Sequence, residues 1–283
     1  MTSQTRQPAR RSSKLDLLGG FSLVVNGSSV ALPIHAQRVL AYLSLVRPVQ
    51  SPHLRAGLAE RLWYEVTTER SQASLRSALW RIRQADPSLV QASRETLQLA
   101  DAVDVDVRRG IAQAARLLGV EVELRPQDTE LGALLGDLLP GWDEDWLLLE
   151  RERIRQVQVH ALEALAHRLR RFGRYAEAIE AAYAAISHEP LRESAHIALI
   201  DVFLDEGNAA QAHHQLARYA AMLWSELGIE PSAELVNRVA PVIRGTAHLS
   251  PGRVTPVPAW SAVPGRVPAA GAVALPAAPA TRR

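Results

Sequence analysis

Between residues 74 and 83 the chain reads SLRSALWRIR. As a helix, this stretch puts Leu75, Ala78, Leu79 and Ile82 on one side, the i, i+3, i+4, i+7 spacing of a core stripe. The opposite side then carries Ala73, Ser77, Trp80 and Gln84, flanked by Arg76 and Arg81, with Arg83 at the core edge. Small, polar and arginine side chains on a helix with one buried face suit insertion into the major groove of duplex DNA. A guanidinium can bond guanine bidentately, a contact worth roughly 1–3 kcal/mol of discrimination. Arg38, Arg55 and Arg70 would meet phosphates, setting register without reading sequence. Arg94 sits in a tight turn between two short strands and would reach a minor groove or a phosphate. Each residue has a plainer alternative. The arginines would simply be solvated, Trp80 would pack on the preceding helix, Arg83 would be a salt-bridge partner, and Arg94 an ordinary turn residue.

Other chemistry finds little support. Cysteine is absent, which excludes disulfides and thiolate metal sites. No G-x-S-x-G, H-E-x-x-H or P-loop pattern occurs in the sequence. The histidine groupings in the second half (His160 with His167, His188 with His196, His213-His214) lack metal-site spacing and read as structural. Asp143, Glu144 and Asp145 open a helix, where acids favour the helix dipole. Trp142 and Trp146 beside them read as core. No catalytic residue, cofactor or metal is expected.

The elements around the arginine-bearing helix come in a telling order. Residues 1–13 are polar, basic and unpatterned, and read as a disordered arm. Short strands follow at Leu15–Leu18, Phe21–Val25 and Val30–Leu32, with Asn26-Gly27 as a hairpin turn. Helices are expected at His35–Val46, from Ser51-Pro52 to Leu62, and at Gln72–Gln84. Leu89–Ala92 and Thr96–Leu99 then form a hairpin. Strands, three helices and a hairpin make a winged helix-turn-helix over residues 14–106. From 107 to 244 the expectation is all-helical. A helix starts near Val107, residues 120–137 form a loop with a short helix, and a long helix opens within Leu138–Arg155 and runs to Arg171.

The second half repeats at an offset of 34 residues. Leu165, Leu169, Gly173, Ala178 and Ala185 are matched by Leu199, Phe203, Gly207, Ala212 and Tyr219. That period is one tetratricopeptide-like helix–turn–helix unit, and such units stack into surfaces that hold a partner. Helical pairs are expected at 157–171 with 175–188 and at 191–205 with 209–227. A terminal helix follows from Pro231. From 245 to 283 the Pro- and Ala-rich sequence reads as a disordered tail. The fold class is therefore mainly α, with an α+β winged helix at the front.

Charge divides along the same line. Residues 1–100 hold 13 Arg and Lys against 6 Asp and Glu, whereas residues 101–245 hold 15 against 24. A basic front beside an acidic rear fits a nucleic-acid-binding domain joined to a regulatory one. No apolar run of about 18 residues and no leader pattern occurs, so a cytoplasmic protein without membrane contact is expected.

Three stretches carry a family resemblance. SLRSALWRIR (74–83) is similar to the recognition helix of the SARP family of actinobacterial transcriptional activators, and LLPGWDEDWLLLERERIRQ (138–156) resembles the entry to that family's bacterial transcriptional activator domain. HEPLRESAH (188–196) and ELGIEPSAEL (226–235) are similar to two turns of the same domain. The resemblance covers about 14–242 and implies a small member without an ATPase module. It further implies an activator that binds promoter direct repeats as a homo-oligomer on DNA, recruits RNA polymerase, and serves antibiotic biosynthesis genes. The alternative is a helical-repeat scaffold whose winged helix contacts protein instead of DNA.

Overall fold

The computed structural model describes residues 13–46, 51–119 and 123–246. Apart from Ser13, the expected N-terminal arm lies outside the described residues, as does the expected tail beyond Thr246.

Three strands open the fold: β1 (Ser13–Asp16), β2 (Ser22–Val25) and β3 (Ser28–Ser29). The β2–β3 turn places both Asn26 (φ 50°) and Gly27 (φ 81°) in the left-handed region, which suits the right-handed strand twist. Four further strands are β4 (His53–Leu54), β5 (Val90–Ala92), β6 (Thr96–Leu99) and β7 (Val103–Val105). β7 pairs parallel to β1 and completes a sheet of order β3-β2-β1-β7. It buries Val103 and Val105 and exposes Asp104. Three residues are too few to show periodicity, so the sequence suggested only a connection into the next helix.

The helix-turn-helix comprises α1 (Ile34–Leu45), α2 (Arg55–Leu62) and α3 (Thr68–Ala85). α2 begins later than Ser51-Pro52 suggests because His53 and Leu54 pair with Leu97 and Thr96 of the hairpin. The second sheet thus runs β4-β6-β5. α3 starts four residues before the expected Gln72. Leu40, Leu43, Leu58, Leu75, Ile82, Leu89 and Leu97 close the core between the sheets and helices.

The rear half comprises α4 (Asp106–Leu118), two 3-10 turns (Pro126–Thr129 and Leu131–Leu134), α5 (Asp145–Arg171), α6 (Tyr175–His188), α7 (Glu193–Asp205), α8 (Ala209–Leu227) and α9 (Ala233–Thr246). The 34-residue offset is visible in the backbone. α5 and α7 end at Arg171 and Asp205, and α6 and α8 begin at Tyr175 and Ala209. Gly173 (φ 70°) and Gly207 (φ 82°) take left-handed conformations. The next residue of each pair, Arg174 or Asn208, donates its N–H to Leu169 O or Phe203 O. This closes two matching Schellman-type helix ends. Among the described residues no helix is long and apolar enough to cross a membrane.

The two halves share a core. Leu138, Leu139, Leu147 and Ile154 pack into the winged-helix cluster rather than the helical-pair cluster. Gly19 N–H donates to Asp137 O and Leu139 N–H to Leu17 O, so residues 137–139 run along the end of β1.

Candidate nucleic-acid interface

α3 separates its two faces cleanly. Ser71, Leu75, Ala78 and Ile82 are buried, while Arg76, Ser77, Trp80, Arg81 and Arg83 are all exposed. Trp80 is 54% exposed and does not fill a gap against α2. Its indole instead supports the Arg81 guanidinium, whose carbon lies 4.7 Å from the ring centroid. A cation on an aromatic face is attracted by the ring quadrupole, and the stack narrows the range of orientations open to both side chains.

The wing stands beside this helix. Ser93 closes a two-residue turn over Arg94 and Glu95: its Oγ accepts from Glu95 N–H at 3.2 Å and Thr96 N–H at 2.9 Å. That closure forms the wing without a glycine. Arg55, at the start of α2, donates to Ser93 O at 2.9 Å, and its backbone N–H donates to Glu95 O. A groove of about 630 Å³ lies between these elements and brings Arg55, Arg76 and Arg94 together with Gln72. Arg70 is exposed in the first turn of α3.

Arg38 lines a different cleft and is engaged inside the molecule. It donates to Leu62 O and to Glu144 Oε2 at 2.7 Å, and its guanidinium lies 5.7 Å from the Trp63 ring centroid. Because its side chain is only 21% exposed in that ion pair, a phosphate contact from Arg38 would require breaking it. Arg38 thus ties α1 to the start of α5.

Two buried aspartates position the helix and its sheet, and sequence reasoning missed both. Asp86 ends α3, accepts from Ser88 N–H and Oγ–H, and meets Ser13 Oγ of β1. Asp106 Oδ2 accepts from Leu17 and Leu18 N–H, each at 2.8 Å, while its Oδ1 accepts from Val107 N–H. Burial pushes its carboxyl above the usual aspartate range, against the opposing pull of those three N–H groups. An Asp at the start of a helix is a local signal, but nothing local reveals that its partners lie almost ninety residues upstream.

His188 and His196 take partners within the fold. His188 Nε2 meets Leu134 O at 3.2 Å; His196 Nε2 donates to Pro190 O and its Nδ1 accepts from Gln215. Among the described residues no group of three or more His, Asp or Glu is placed to hold a metal ion.

The described residues form a winged helix-turn-helix leading into paired helices. Residues 128–242 match the family described as bacterial transcriptional activator domain. The fold is similar to the solved structure of Mycobacterium tuberculosis EmbR in complex with low affinity phosphopeptide, with a TM-score of 0.64 and 21% identity. That similarity covers 83% of this chain and 66% of the other, so the chain spans just under two thirds of that relative's length. No curated protein matches the sequence. The likeness of residues 128–242 to a bacterial transcriptional activator domain agrees with the resemblance read from the sequence, and the solved structure adds a likeness of fold.

Proposed function

We propose that this chain is a sequence-specific, duplex-DNA-binding transcriptional activator of the SARP type. The observation that carries the reading is the α3 face itself: Arg76, Ser77 and the stacked Trp80–Arg81 pair project from a helix whose other side buries Leu75, Ala78 and Ile82. α3 enters the major groove, Arg81 and Arg76 contact base edges, and Arg55, Arg83 and Arg94 meet phosphates beside it. The helical pairs behind supply the activating contact, with RNA polymerase as the recruited partner. The resemblance extends this to tandem copies on promoter direct repeats of antibiotic biosynthesis genes.

The test is selection of a random duplex library by the full-length protein, followed by anisotropy titrations of the enriched sequence. A recovered direct-repeat motif, bound with steep salt dependence, is the expected result. Failure to enrich any motif, with binding indifferent to sequence, would sink the reading and leave the scaffold alternative.

A further inference from the structure

A cleft of about 780 Å³ lies between the helix-turn-helix and the start of α5. One wall is the α2–α3 turn, with Trp63, Tyr64 and Val66. The other is the N-terminal turn of α5, with Trp146 and Leu149. Large side chains with apolar surface stand exposed on both walls: Tyr64 is 67% and Leu149 75% exposed. The rim is acidic. Glu144 is neutralised by Arg38, and Glu150 pairs with Arg153 at 2.7 Å. Glu65, Asp143 and Asp145 are exposed and converge from the two walls, with Arg61 as the cation among them. The three carboxylates act together on Tyr64, whose phenol they push above its ordinary value. A helix dipole accounts for the acids at the start of α5; it does not account for Glu65 across the gap.

The occupant should therefore be cationic, free of acids, and able to offer aromatic or aliphatic surface. Residues 247–283 have that composition: four arginines (Arg253, Arg266, Arg282, Arg283), no Asp or Glu, and Trp260 among Val, Ala and Pro. Fully extended, a segment of that length spans roughly 120 Å. A body of this size has a radius of gyration of about 17 Å. The segment can thus reach the cleft from the end of α9. Residues 1–12 carry Arg6, Arg10 and Arg11 but offer no aromatic group.

We propose that the cleft is the docking site of this chain's own C-terminal segment, with Trp260 against the aromatic walls and the arginines on the carboxylate rim. The docked segment would lie against the turn that leads into α3, where it would bear on how that helix is presented. Docking needs no DNA, so the proposal stands or falls separately from the DNA-binding reading.

The absence of cysteine makes site-specific labelling direct. The experiment is a nitroxide–nitroxide distance measurement on the full-length E60C/S261C protein, without DNA. The expected result is a narrow short-distance population that fades with added salt. That population is lost in D143N/D145N, which changes two exposed side chains, and equally in R253Q/R266Q. A broad distribution indifferent to salt and to both pairs of changes would overturn the proposal. So would two other outcomes: a short distance that vanishes on dilution with unlabelled protein, which would mean a second copy, or one that appears only when the label at 261 is moved to Thr5, which would mean the N-terminal arm.

Discussion

Arg81 is where base discrimination and folding stability separate. Its guanidinium rests on an exposed indole and touches no core group. Arg81→Ala should cost about 1–3 kcal/mol of specific DNA binding, roughly 5- to 150-fold. Its melting temperature should match the parent's, since exposed substitutions away from special features stay within about 0.5 kcal/mol. Anisotropy titration and a thermal melt check both halves; equal affinity, or a lowered melt, would count against the assignment. Arg94→Ala belongs to another class. A phosphate contact carries no sequence information, so affinity should fall alike on cognate and scrambled duplexes, and the log–log salt slope should shrink by about 1. A loss confined to the cognate duplex would make Arg94 a base reader instead. The exposed set on α3 was legible because a helix with a regular core stripe defines its solvent face by subtraction. Arg38 was not legible, because its partners Leu62 and Glu144 are set by tertiary packing far from it in sequence.

At the scale of elements, the joints decide whether α3 is held still. α4 crosses the second 3-10 turn at Gly110, where an added Cβ would overlap the Ala133 carbonyl oxygen. Backbone cannot give way as a flexible side chain can, so Gly110→Ala should destabilise by about 1–3 kcal/mol, read as a lower denaturation midpoint in urea. A midpoint unchanged from the parent would mean that the crossing is looser than described. α5 is fastened at its first turn: Glu144 accepts from Arg38 and from Trp146 Nε1–H at 3.0 Å, and Trp146 meets Tyr42 of α1 edge-on. Glu144→Ala strands a half-buried guanidinium and should cost about 1–3 kcal/mol by the same measurement. The helical pairs were legible almost to the residue, because glycine ends and the 34-residue recurrence are local signals. β4, β7 and the run at 137–139 were not. Each is only two or three residues long and exists because a distant strand offers it hydrogen bonds.

At the scale of the whole molecule, the distribution of buried titratable groups sets how the fold answers to pH. His53 lies beside the winged-helix core, and His167 and His196 in the helical pairs; burial lowers all three from the ordinary histidine value. In His196 the cause is also visible in the geometry. The ring stacks on Tyr219 at 4.0 Å, and protonating Nδ1 would expel the hydrogen bond from Gln215. A histidine whose folded value is depressed binds its proton more readily when unfolded. Its contribution is therefore fully present above about pH 6.5 and is lost as pH falls through the folded value. Asp106 has the opposite sign: its raised folded value contributes stability that is present below the unfolded aspartate value and lost as pH rises through the folded one. On the acid side the three histidines and Asp106 therefore act in opposite directions. Calorimetric unfolding at closely spaced pH values should show a flat melting temperature above about pH 6.5 and a decline below it, each histidine adding up to about 1.4 kcal/mol per pH unit. His196→Gln removes one titrating group. It should lower the melting temperature at neutral pH, where its ring contacts are lost, yet make the acid-side decline shallower. A parallel displacement of the whole curve, with the decline as steep as the parent's, would show that protonation of His196 does not limit the fold in acid.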